Sequence, residues 1–172
     1  MVTRRLGLIM YLLAFIFLLG LLTWSFSEYA EHKENRTYEI TPLAGAAGGV
    51  GVRLKKSRSG HYLAMGKING QSINFMIDTG ATDVVISAQL AKKAGIQQKE
   101  KINLMTANGW TEGWSANIAT IELGEIVEHD IRAVIAPSLG TMRPLLGMSF
   151  LERLSFSQKG NELIIQKTVP SK

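Results

Sequence analysis

Apolar residues form a dense block at the start of the chain and are then spaced as in an ordinary globular domain. No charged residue stands between Leu6 and Ser27, and a helix of this length crosses the hydrocarbon core of a bilayer. A cleaved signal peptide is the alternative, but its apolar region is shorter and ends at small residues, whereas Trp24 and Phe26 follow here. We therefore expect residues 1–27 to form a short N-terminal tip and a transmembrane helix that contacts lipid through residues 6–27.

The charges on either side of this block predict its orientation. Arg4 and Arg5 precede it, while acidic and basic residues are mixed after it. Because positive residues remain on the cytoplasmic side of a membrane, the N-terminus is predicted to be cytoplasmic and the rest of the chain to face outward.

Residues 28–59 are polar at first and then mostly small, which predicts a flexible tether. Near its end lies a basic stretch in which Val52 and Leu54 alternate with cations (Arg53, Lys55, Lys56 and Arg58). This stretch is compatible with anionic headgroups or nucleic acid, but the alternation favours a solvated strand edge.

From residue 60 onward, the apolar residues recur with a period close to two, which is typical of strands. The pair Asn69-Gly70 between two such runs predicts a hairpin with a type I′ turn. A serine followed by a periodic segment and a glycine predicts a helix from Ser87 to Gly95, and Ser149 and Glu152 have the spacing of a capping box for a second helix over 148–154. The other predicted strands cover 84–86, 102–106, 115–123 and 131–135, with a hairpin over 156–165 and a loop that carries Trp110 and Trp114.

Composition excludes several kinds of chemistry. The chain has no cysteine, so thiolate catalysis, disulfides and Cys-ligated metals are excluded. Its formal charge of +5 falls to about +3 once Arg4 and Arg5 are set aside, and this excess is spread along the chain. The histidines do not group with acids at the spacing of metal ligands. We expect no metal, no cofactor and no nucleic-acid partner.

One carboxylate stands in an unusual position. The apolar run Phe75-Met76-Ile77 leads directly into Asp78, which Thr79 and Gly80 follow. Burying a lone carboxylate is costly unless it is protonated or well hydrogen-bonded, so an aspartate at the end of a buried strand indicates function. Gly80 permits close backbone approach, and its amide can hydrogen-bond the carboxylate. A turn that caps the next segment is the alternative.

These residues resemble the retropepsin-like aspartic proteases, in particular the small bacterial members with an N-terminal membrane helix. The resemblance covers about residues 60–165 and rests on three features: the run from Phe75 to Thr82, the Leu145-Leu146-Gly147 element, and Gly60-His61-Tyr62 together with Asn69-Gly70. It implies a mainly β, closed-barrel acid-protease protomer with one or two short helices over 60–172. It also implies a single-pass protein of the inner membrane with a periplasmic or otherwise extracytoplasmic protease domain.

The resemblance also assigns roles to single residues. Asp78 is the expected catalytic carboxylate, and Thr79 with Gly80 supports the active-site loops. Substrate-binding residues are expected in that loop and in a flap around residues 107–110 (Ala81, Thr82, Asn108, Gly109 and Trp110). Viral members usually carry Asp at the position of Thr82 and Arg-Asn at the position of Met148-Ser149, so the ion pair of those residues is absent and dimer stability must rest on other contacts.

A single Asp-Thr-Gly implies two chains. Hydrolysis needs one group to take a proton from water and another to protonate the carbonyl and the leaving amine, and two adjacent carboxyls that share a proton supply both. A twofold homodimer with paired Asp78 residues, acting on a peptide or protein substrate, is therefore the predicted enzyme. The alternative is a catalytically silent module that keeps the fold for dimerisation or peptide binding.

Overall fold

The computed structural model describes residues 2–35, 40–44, 49–106, 109–140 and 142–167. The chain divides into two compact units, residues 1–36 and residues 37–172. The first unit is helix α1 (Val2–Asn35), in which the segment Met10–Ser27 is long and apolar enough to cross a membrane and has its side chains exposed.

The second unit consists of eleven strands and two short helices within the described residues. In chain order they are β1 (Thr41–Ala44), β2 (Val50–Lys55), β3 (Tyr62–Ile68), β4 (Gln71–Ile77), β5 (Val84–Ile86), α2 (Ala88–Lys93), β6 (Lys101–Thr106), β7 (Gly109–Leu123), β8 (Ile126–Ile135), a 3-10 turn (Pro137–Leu139), β9 (Leu145–Leu146), α3 (Met148–Leu151), β10 (Ser155–Lys159) and β11 (Glu162–Lys167).

Six strands form a closed barrel, and a seventh, β6, is added outside it. The sheet order is β3-β4-β9-β5-β8-β7-β6, and an additional pairing of β3 with β7 joins the two sides. Closure removes sheet edges and encloses a core in which Phe75 and Phe150 are fully buried. The predicted mainly β, closed-barrel fold is confirmed.

A second, four-stranded sheet has the order β1-β2-β11-β10. Val52 and Leu54 of β2 are fully buried in the hydrophobic core, and β2 itself lies between β1 and β11. The structure therefore differs from the sequence prediction here: two strands of the expected tether belong to the folded unit, and the basic stretch does not lie on a sheet edge.

The β3–β4 hairpin turns as predicted. Asn69 and Gly70 both have positive φ, 47° and 79°, as a type I′ turn requires. The Asn69 side chain also ties the turn to its surroundings: its Nδ2 donates to Ala94 O and its Oδ1 accepts from Thr120 N, each at 3.0 Å.

The two helices differ in how well the sequence predicted them. In α2, Ser87 is the N-cap and accepts from Leu90 N, and Gly95 follows the C-cap with positive φ, both as expected. In α3 the capping-box prediction is wrong: Gly147 is the N-cap without a side-chain bond, and Ser149 lies inside the helix.

The segment expected to be a loop with two tryptophans is a strand instead. Trp110 and Trp114 lie in β7, paired with Met105 and Lys101 of β6. The connection between these strands, residues 107–108, is outside the described residues, and so is the predicted substrate contact of Asn108.

Candidate active site

The catalytic candidate lies where three strands meet. The short strand β9 is parallel to β4, with Met76 opposite Leu145, and antiparallel to β5, with Val85 opposite the same Leu145. At the end of β4, the backbone N–H of Asp78 donates to Leu146 O at 3.2 Å. The predicted Leu145-Leu146-Gly147 element thus fixes the backbone of the predicted catalytic residue, although it is distant in sequence.

The loop after β4 holds the carboxylate. Gly80 N donates to Asp78 Oδ1 at 2.9 Å, and Ala81 N donates to Asp78 O at 3.3 Å, which closes a tight turn. Asp78 is partly buried. A methyl group at Gly80 would stand 3.2 Å from Asp78 Oδ1, so this glycine lets the amide approach the carboxylate closely.

Gly147 permits an equally close approach from the other side of the loop. A Cβ at this position would lie 2.3 Å from Asp83 O and 2.7 Å from Ala81 O. Just beyond it, Met148 N donates to Ala81 O at 2.8 Å. The start of α3 therefore packs directly on the loop that carries Asp78, and only glycine fits at the contact.

Ser149 was not among the predicted site residues, yet it connects three parts of the site. Its backbone N–H donates to Thr82 O at 2.9 Å. Its hydroxyl accepts from Val84 N at 3.0 Å and donates to Arg132 O at 2.8 Å, and the residue is 2% exposed. The sequence signal that could have identified Ser149 is its position two residues after Gly147 of the Leu145-Leu146-Gly147 element.

Arg132 forms an ionic contact beside the same loop. Its Nε lies 3.4 Å from Asp83 Oδ1, and its Nη2 lies 3.7 Å from Glu152 Oε1. The arginine side chain is 67% exposed, and exposed ion pairs of this kind contribute little to stability. The two contacts of Arg132 link β8 and the end of α3 to the loop. They do not involve Thr82 or Met148, where viral members carry Asp and Arg.

The remaining loop residues face outward. Thr79, Gly80 and Thr82 are exposed, and Ala81 is partly exposed. Within the described part of the chain, the Thr79 hydroxyl has no hydrogen-bond partner, so its bonding capacity is available to a neighbouring molecule. The structure brings Asp78, Thr79, Gly80, Ala81 and Thr82 together in one accessible loop.

The β6–β7 hairpin contains Gly109 and Trp110, the described residues of the expected flap. Strand alternation puts Met105 and Trp110, each 72% exposed, on the same face as the ion pair of Lys101 and Glu112. The opposite face carries the partly buried Leu104. Trp110 therefore lies on the more exposed face of the hairpin.

The described residues contain no group of three His, Asp or Glu side chains placed to hold a metal ion.

A family model for gag-polyprotein putative aspartyl proteases matches residues 64–153, which include the Asp78 loop and the Leu145-Leu146-Gly147 element. The chain belongs to this family. Among solved structures, a retropepsin-like aspartic protease from Rickettsia conorii is 26% identical and superposes with a TM-score of 0.58, covering 76% of this chain and 96% of that one. The fold of this family member is thus retropepsin-like.

Two curated relatives are also similar. An uncharacterised protein of a Sinorhizobium species is 30% identical over 121 residues, which are 69% of this chain and 52% of the relative. An uncharacterised protein of Rickettsia prowazekii is 29% identical over 118 residues, which are 66% of this chain and 50% of the relative. The chain spans about half the length of the curated relatives it matches.

Proposed function

We propose that this aspartyl-protease family member is a membrane-anchored aspartic endopeptidase that works as a homodimer. The observation that carries the proposal is the Asp78 carboxylate, held at the end of β4 by Gly80 N in a loop that is accessible to solvent. The same loop is fixed from behind by β9 and α3, so the carboxylate is positioned before any substrate arrives.

The reaction requires a second carboxyl, which a second copy of the chain supplies. In the dimer, the two Asp78 side chains face each other across the twofold axis and share one proton. The ionised carboxylate takes a proton from a water molecule that attacks the peptide carbonyl, while the protonated one gives its proton to the carbonyl oxygen. The resulting diol then collapses: one of its hydroxyls gives a proton to the ionised carboxylate, the C–N bond breaks, and the amine leaves with the proton of the other carboxyl, which restores the shared proton of the dyad. No acyl-enzyme forms.

Two features of the single chain support this arrangement. The Asp-Thr-Gly sequence occurs once, so one chain supplies only one carboxyl in this setting. The Thr79 hydroxyl is exposed, and within the described residues it is unpaired in the single chain, as expected for a group that hydrogen-bonds the other subunit. The β6–β7 hairpin, including Gly109 and Trp110, then acts as the flap over an extended peptide together with Ala81 and Thr82.

Helix α1 anchors the enzyme. Its segment Met10–Ser27 is apolar and exposes its side chains, and in a bilayer they contact lipid instead of water. By the charge asymmetry around it, the N-terminus is cytoplasmic and the protease unit faces the extracytoplasmic side of the inner membrane.

Replacing the catalytic carboxyl tests the enzymatic proposal. Purified full-length chain in detergent is expected to cleave an unstructured protein, and Asp78→Asn is expected to abolish cleavage because an amide can neither accept the proton of water nor share one with its partner. The matched control is Asp130→Asn, because Asp130 lies in β8 outside the site and asparagine tolerates its positive φ of 54°. Cleavage by Asp78→Asn at the rate of the unsubstituted chain would contradict the proposal.

The same experiment separates the enzyme from a silent module that keeps the fold to dimerise or bind peptides. A chain that dimerises but cleaves nothing, with or without Asp78, would favour the module. Sedimentation of Asp78→Asn checks that the substitution leaves dimer formation intact.

A further inference from the structure

The strand register shows where the chain from α1 enters the folded unit. Strand β1 begins at Thr41, only a few residues after α1 ends at Asn35, and Thr41 is opposite Arg53 near the end of β2. The chain that follows α1 therefore enters the four-stranded sheet at one particular end. This is the end that contains the last residues of β2.

Exposed cations collect at this same end. Lys55 is the last residue of β2 and is opposite Glu162, the first residue of β11. Lys159 closes β10 and is opposite the same Glu162. Lys56 and Arg58 lie in the turn that follows β2, and all four cations are exposed. We call these four residues, Lys55, Lys56, Arg58 and Lys159, the basic end of the sheet.

The positive charge at the basic end is largely uncompensated. Residues 53–58 and 159–162 contain five cations and one carboxylate, a formal excess of +4. That carboxylate, Glu162, lies 3.6 Å from Arg53 Nε, so it already faces a cation outside the basic end. Lys56 is exposed, and its Nζ lies 6.0 Å from the centroid of the Tyr62 ring.

The turn that presents these cations has a defined shape. Ser57 N donates to His61 O at 2.8 Å, Gly60 N donates to Ser57 O at 3.0 Å, and His61 N donates to Ser57 Oγ at 3.2 Å. Arg58 and Ser59 stand at its exposed tip. The turn holds its charges outward before it meets any partner.

We propose that the basic end docks on the anionic phospholipid headgroups of the bilayer that anchors the chain. The inference rests on the proposed anchoring by α1. It joins two independent facts, the place at which the chain enters the sheet and the excess of cations at that place, and cations close to an anionic membrane surface are attracted to it. The occupant is the lipid surface, because only residues 28–40 connect the apolar segment Met10–Ser27 to Thr41, which lies at this end of the sheet.

Docking has a consequence for the substrate. The same turn leads into Tyr62, which is opposite Ile77, the residue before Asp78. Strand β4 therefore ends beside the basic end, and docking holds the loop that carries Asp78 at a short distance from the headgroups. The substrates this selects are polypeptide segments that lie close to the membrane surface.

The test uses the full chain in vesicles and a fluorescent label. Because the native sequence has no cysteine, Ser59→Cys carries a single polarity-sensitive dye at the tip of the turn. Gln89→Cys on α2 is the label control. Helix α2 lies at the opposite end of β3, since Ala94 O after α2 accepts from the Asn69 side chain beyond Ile68.

The expected result has three parts. In vesicles that contain phosphatidylglycerol, the emission of the dye at residue 59 shifts toward that of an environment less polar than water. In pure phosphatidylcholine the emission remains that of the dye in water, and high salt abolishes the shift. In the double variant Lys55→Gln/Arg58→Gln, the ratio of docked to undocked chains that the dye reports falls on the order of tenfold. Lys92→Gln/Lys93→Gln removes the same charge from exposed positions on α2 and leaves the shift unchanged.

Three results would overturn the inference. An equal signal from residue 59 in neutral and anionic vesicles means that the basic end does not dock. A signal that responds to an added acidic peptide, but not to phosphatidylglycerol, assigns the basic end to acidic substrate segments. Extraction of the chain from vesicles by alkaline carbonate shows that α1 does not insert, which removes the anchoring on which the inference rests.

Discussion

The buried hydroxyl of Ser149 connects three segments around the loop that carries Asp78. The spacing of Ser149 from Glu152 is that of a capping box, which is why the sequence predicted an N-cap. In the structure, Gly147 takes the cap position because only a glycine fits against Asp83 O, and Ser149 turns inward. There its hydroxyl accepts from the buried Val84 N, which is distant in the sequence. The spacing rule for a capping box considers only neighbouring residues, so it cannot predict contacts with residues that are distant in the sequence.

Removing that hydroxyl is expected to destabilise the domain. Ser149→Ala leaves Val84 N and Arg132 O without the partner they share, so the free energy of unfolding should fall by about 1–3 kcal/mol. The midpoint of urea unfolding measures the change. Ser155→Ala, an exposed serine on β10, should shift stability by less than about 0.5 kcal/mol. Equal effects of the two substitutions would contradict the role given to Ser149.

Local strands and turns were the part of the fold that the sequence predicted best. The type I′ turn at Asn69-Gly70 and the N-cap at Ser87 depend on neighbouring residues only, and both are as predicted. The insertion of β9 between β4 and β5, and the pairing of β2 with β11, join residues far apart in the chain. Hydrophobic alternation identifies a strand but not its neighbour, so the sequence alone places the buried strand β2 in a tether.

Asn69 contributes to stability through its positive φ and through two side-chain hydrogen bonds to residues outside the turn. Two substitutions separate these contributions. Asn69→Gly keeps the positive φ but loses the bonds to Ala94 O and Thr120 N, so we expect a loss of about 1–3 kcal/mol. Asn69→Ala also forces a left-handed conformation on alanine, which should add roughly 1–2 kcal/mol. Thermal unfolding of the two variants measures both terms. An alanine variant as stable as the glycine variant would show that the backbone term is absent.

The folded unit contains half of the proposed catalytic centre. The family and the fold follow from the Asp78 loop and its glycine-bearing partner strand, and the sequence was sufficient to identify both. In the proposed dimer, the other half is a second copy of the same residues, so its approach depends on surfaces that no motif describes. Ser149 is likewise understood only from the packed domain, because its hydroxyl bonds residues that are distant in the sequence.

Subunit mixing tests the shared dyad most directly. Unsubstituted chain and Asp78→Asn are exchanged in detergent at several ratios while total protein is held constant, and cleavage of one unstructured substrate is followed. If both carboxyls of a dimer are required, activity falls with the square of the unsubstituted fraction, to about one quarter at equal amounts. An activity that falls in direct proportion to that fraction, reaching about one half, would show that a single Asp78 suffices and would contradict the account.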